Sequence, residues 1–78
     1  ANARWQLGLI QGFEGDFEGS LETLRQVVAK HPNHVNARYD LAMTMLMLGL
    51  FDEAKQQLLE VLRLKPDHAD AKKQLAYF

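Results

Sequence analysis

Apolar side chains recur at three- and four-residue intervals along most of the chain, the spacing that places them on one face of an α-helix. Trp5, Leu7, Leu9, Ile10 and Phe13 form a first such segment, ended by the Gly12 to Gly15 region. Leu21, Leu24, Val27 and Val28 form a second. Asp16 stands immediately before Phe17. It is placed as an N-cap there, because a short side-chain oxygen accepts from backbone N–H groups that have no partner within the helix. The second segment stops before His31-Pro32, since proline disfavours helical geometry in the residue ahead of it. The same pattern predicts helices over Asn36 to Leu48 and Asp52 to Leu64, the latter ahead of Lys65-Pro66. A last helix is predicted from about Asp70 to the end.

The resemblance between these two helix pairs is a true repeat. Residues 1–34 laid on 35–68 give ten identities, where unrelated sequence of average composition gives roughly two or three. Asn2-Ala3-Arg4 recurs as Asn36-Ala37-Arg38, Gly15 as Gly49, Phe17 as Phe51, Pro32 as Pro66 and His34 as His68. A third copy starts in the same register, with Ala71, Leu75 and Ala76 matching Ala37, Leu41 and Ala42. The division is therefore 1–34, 35–68 and a partial unit or cap at 69–78. The chain opens on Ala1 and stops at Tyr77-Phe78 in mid-pattern, so it is expected to be a piece excised from a larger protein.

A 34-residue helical hairpin with this punctuation resembles the tetratricopeptide repeat family, and the resemblance covers the whole chain. The family's leucine followed by a small residue stands as Leu7-Gly8, Leu41-Ala42 and Leu75-Ala76. Its turn glycine followed by an aromatic stands as Gly15 with Phe17 and Gly49 with Phe51. Its small residue early in the second helix is Ser20 and Ala54, and its closing proline is Pro32 and Pro66. Small residues let paired helices approach where they cross. Two positions depart from the pattern. Arg4 and Arg38 stand where the family often has tryptophan, and Leu24 and Leu58 where an aromatic is usual. The resemblance implies an all-α tetratricopeptide-type α-solenoid of antiparallel helix pairs, with a C-terminal partial helix as cap.

In that family the first helix of each repeat lines a concave groove, and the family frame points to Asn2, Trp5, Leu9, Gly12 and Phe13 in the first copy. Asn36, Tyr39, Met43, Leu46 and Met47 correspond in the second, and Asp70, Lys73 and Tyr77 in the third. Helical spacing alone already sets Trp5, Leu9 and Phe13 on one stripe and Tyr39, Met43 and Met47 on another. The expectation is a protein-interaction scaffold that takes a hydrophobic or amphipathic segment of a partner into this groove. Trp5 and Tyr39 are candidate anchors, and Met43 and Met47 are adaptable walls. The competing expectation is a structural segment of a longer solenoid, which dimerises or exchanges helices through its exposed end. A regulatory appendage of an enzyme is a third. The family's carboxylate clamp of lysine, asparagine and arginine is not expected, because its positions hold Trp5, Leu9, Asp40, Asp70 and Gln74.

Composition narrows the function classes further. Nine basic and ten acidic residues leave a formal net charge of -1, which supplies no basic stripe for nucleic acid. The longest apolar run, Leu41 to Leu50, is too short to cross a bilayer. Cysteine is absent, so thiolate sites and disulfides are excluded and the compartment is left open, with the cytoplasm as the working expectation. His31, His34 and His68 do not assemble a metal-ligand set with supporting acids. The acidic residues at helix starts are accounted for by the helix dipole. No cofactor and no catalysis are expected. Four of the five glycines, Gly8, Gly12, Gly15 and Gly19, fall in the first hairpin, which is expected to weaken it, since a helical glycine costs about 0.5–1 kcal/mol relative to alanine.

Overall fold

The computed structural model describes the backbone of residues 2–78 and the side chains of 5–12 and 14–78. The described chain forms five helices: α1 (Asn2–Phe13), α2 (Phe17–Lys30), α3 (Val35–Met47), α4 (Phe51–Leu64) and α5 (Ala69–Leu75). Each packs on the next in sequence, and α1 also touches α3, so α1–α2 and α3–α4 are stacked hairpins closed by α5. This is the all-α stacked arrangement that the repeat predicts.

The two hairpin turns use the same device. Gly15 and Gly49 hold φ of +84° and +77°, a left-handed conformation that costs glycine nothing and strains other residues. Asp16 caps α2 as expected, its carboxylate accepting from the Gly19 backbone N–H at 3.0 Å. The second copy departs from this. Its equivalent position is Leu50, α4 starts at Phe51 without a side-chain cap, and Asp52 lies inside the first turn. Two further boundaries differ from the sequence reading. Helix α3 ends at Met47, one residue short of Leu48. Helix α5 ends at Leu75 instead of continuing to Phe78. There the Tyr77 and Phe78 N–H groups bond to Gln74 and Leu75, three residues back, the tightened geometry usual in a final turn.

The core is built twice, once where the first repeat meets the second and once where the second meets α5. Leu24, Leu41, Met45 and Ala54 form one buried cluster, with Trp5 packed on it. Ala42, Leu58, Val61 and Ala71 form the next, with Tyr39 and Leu75 packed on it. Leu24 and Leu58, and Trp5 and Tyr39, are one period apart. Each fully buried leucine stabilises the fold by about 1.5–3 kcal/mol. Helix α1 sits so close to α2 that a Cβ on Gly8 would lie 2.8 Å from Leu24 Cγ. At that crossing even alanine would force Leu24 to shift.

Candidate functional site

The first helices of the two repeats, α1 and α3, face one another across a cleft of about 480 Å³. Its floor is Gly8, Gly12, Ser20 and Leu24, and its walls are Leu9, Phe17, Met43, Thr44 and Met47, with Asp40 also on its border. Two of its floor residues are glycines. Gly12 has nothing closer to its missing side chain than Ser20 Oγ, 3.5 Å from where a Cβ would stand. Gly12 thus leaves open the space that a side chain at this position would enter.

The floor is polar but satisfied. Ser20 Oγ–H donates to the Gly8 carbonyl at 2.8 Å and lies 3.3 Å from Thr44 Oγ1. Thr44 in turn donates to the Asp40 carbonyl at 2.9 Å. No described buried side-chain oxygen or nitrogen lacks a partner, so the cleft presents an apolar surface over a closed hydrogen-bond network.

Asp40 is the exception in character. Its Oδ2 accepts from Trp5 Nε1–H at 2.7 Å, across 35 residues of sequence. Burial pushes its carboxyl above the ordinary value, opposed by the Trp5 hydrogen bond and the nearby His34. One period later the same clasp recurs with changed chemistry, as the Tyr39 hydroxyl hydrogen-bonds the Gln74 side chain. Burial, then Asp70, raise the Tyr39 pKa, the Gln74 bond opposes them, and Asp40 adds a smaller upward push. The phenol therefore stays un-ionised near neutral pH.

Histidine completes the pattern. Trp5 packs on His34 with ring centroids 5.2 Å apart, and Tyr39 on His68 at 5.1 Å. Each imidazole also caps the helix that follows it: His34 Nδ1 accepts from Ala37 N–H at 3.1 Å and His68 Nδ1 from Ala71 N–H at 3.0 Å. These caps were missed in the sequence, where His34 and His68 were weighed only as metal ligands. Their signal was the recurrence of histidine just ahead of each first helix.

The residues expected to line the groove therefore divide. Leu9, Met43 and Met47 border the cleft. Trp5 and Tyr39 are half-buried and tied into the contacts between repeats. Asn36 and Lys73 are exposed and border neither cleft. Tyr77 borders a second cleft, of about 400 Å³, with Leu46, Phe51, Gln74 and Phe78. Asn2 and Phe13 lie outside the described side chains. The second cleft is the first one displaced by a period, with Leu46, Phe51, Gln74, Tyr77 and Phe78 standing for Gly12, Phe17, Asp40, Met43 and Thr44. Asp40 and Gly12 were named in the sequence only as a mismatched clamp position and a frame position.

A tetratricopeptide repeat family model matches residues 14–76, spanning α2 to α5. The chain belongs to the tetratricopeptide repeat family. Helix α1 precedes the match and joins the pattern through its register with α3, shown by the paired clasps and paired clefts. No curated protein matches the chain. Tetratricopeptide repeats are generally non-catalytic modules that act as protein-interaction scaffolds. Among the described residues, no helix is long and apolar enough to cross a membrane, and no three histidine or carboxylate side chains gather to hold a metal ion.

Proposed function

We propose that this tetratricopeptide domain holds an apolar or amphipathic segment of a partner protein in the α1–α3 cleft, with no cofactor. The units are taken as 1–34 and 35–68, with 69–78 closing the second core. The observation that carries the reading is the cleft itself: about 480 Å³ of open, mostly apolar space beside Leu9, Met43 and Met47. Methionine walls accommodate varied apolar shapes, and Met47 is 68% exposed while bordering the cleft. Trp5 and Tyr39 then serve mainly to set the spacing of the two helices, since their polar atoms are engaged within the chain.

Gly12→Leu tests this directly. Leucine is what the second repeat carries at that position, and it is the better helix former. The variant should fold at least as well and occupy the space over position 12, lowering affinity for apolar peptides at least tenfold in fluorescence anisotropy (about 1.4 kcal/mol). Undiminished binding by a folded variant would remove the cleft from the proposal.

A second reading has its own observation. Leu7 and Ile10 on α1, and Phe51, Tyr77 and Phe78 at the other end, are all about half exposed or more. Apolar groups in such number at the ends of a stack favour association with further repeats or with a second copy.

A further inference from the structure

We infer that the segment taken up by the α1–α3 cleft carries a leucine-sized apolar side chain flanked by a cationic one, the first seated over Gly12 and the second on the Asp40 carboxylate. The inference rests on the cleft being the partner site, and it names the chemistry of the occupant.

The apolar half is argued from the second repeat, where Leu46 stands in place of Gly12 and packs, half-buried, on the core that the two repeats share. The molecule thus displays the side chain that fits this position. Removing it from the first repeat leaves a socket that an incoming residue of the same size can occupy.

The cationic half is argued from charge. Asp40 is the sole charged residue bordering the cleft among those described. Among the described residues Oδ2 accepts from Trp5 and Oδ1 has no hydrogen-bond partner. At the far side Phe17 is flanked in sequence by Asp16 and Glu18. No described lysine or arginine borders the cleft to receive an acidic segment. An incoming ammonium or guanidinium group would offset the burial of the carboxylate with a charge-assisted hydrogen bond. The second cleft has Gln74 in the place of Asp40, so this preference belongs to the first cleft alone.

Gly12 on α1 and Asp40 on α3 border the same cleft, so the probes carry a cation on either side of the leucine. The probes are fluorescein-labelled peptides with the cores Lys-Ala-Leu-Ala-Lys, Gln-Ala-Leu-Ala-Gln and Glu-Ala-Leu-Ala-Glu in a Gly-Ser frame, and a Leu-to-Ala control of the first. Anisotropy titration should show the lysine peptide binding about tenfold tighter than the glutamine peptide, and the glutamate peptide weakest. In Asp40→Asn, with its helical circular dichroism unchanged, the lysine preference should fall to within about twofold. Equal binding of lysine and glutamine peptides, or a preference that survives Asp40→Asn, overturns the charge assignment. If the Leu-to-Ala control and Gly12→Leu still abolish binding in that case, the cleft reading stands. If no peptide binds, or Gly12→Leu changes nothing, the cleft reading fails and the inference fails with it.

Discussion

At the scale of single residues, Asp40 does two jobs that pull in opposite directions. Its carboxylate holds the Trp5 indole in place, yet its partial burial disfavours the charged form and raises its pKa from the ordinary 3.8. The folded chain therefore binds this proton more tightly than the unfolded chain. The stabilisation linked to that proton is fully present below about 3.8 and is lost as pH rises through the higher folded value. Asparagine keeps an oxygen for Trp5 and cannot ionise. Asp40→Asn should accordingly match the wild type at low pH and gain in melting temperature as pH rises to neutral. A difference independent of pH would show that ionisation is not its source. Asp40→Ala, which leaves the indole N–H without its acceptor, should lose about 1–3 kcal/mol at neutral pH in urea denaturation.

At the scale of helices, the two repeats reach the same ends by different chemistry. Helix α2 is capped by Asp16 and α4 by no side chain, while α3 and α5 are both capped by the Nδ1 of a histidine. A ring nitrogen can accept from the backbone only when it carries no proton, so the caps select the tautomer protonated at Nε2. His34→Ala should cost about 1 kcal/mol through loss of the cap. His34→Asn should recover most of it, since asparagine is itself a good N-cap. The comparison separates the cap from the packing of His34 on Trp5, which both variants lose. Equal losses by urea denaturation would assign the contribution of His34 to packing instead. The same contrast explains which boundaries were legible. Turn glycines and Pro-terminated helices are local events and read directly from the chain. The uncapped start of α4 and the early end of α5 depend on which backbone groups find partners in three dimensions.

At the scale of the whole molecule, repetition produces two clefts from one plan. In the first, Gly12 leaves space and Asp40 supplies charge. In the second, Leu46 occupies the corresponding position and Gln74 is neutral. The end positions differ from the interior for a related reason. Leu7 is 48% exposed whereas its equivalent Leu41 is 2% exposed, because α2 packs on α3 and no described helix covers that face of α1. If the scaffold reading holds, sedimentation velocity at several concentrations should give a monomer that binds peptide. A tight dimer that is dissolved by Tyr77→Ser with Phe78→Ser would favour the self-association reading.

The 34-residue period, the helix pairs, the turn glycines and the apolar faces were all determined by the sequence alone, since each rests on spacing within about one hairpin. The same is true of Leu9, Met43 and Met47 as residues of facing stripes. Only the tertiary structure decided that Trp5 and Tyr39 would be consumed by clasps to Asp40 and Gln74, and that Gly12 would border a cleft beside Asp40. Those outcomes depend on which side chains from helices one period apart come within bonding distance, and helical periodicity within either segment carries no record of that pairing.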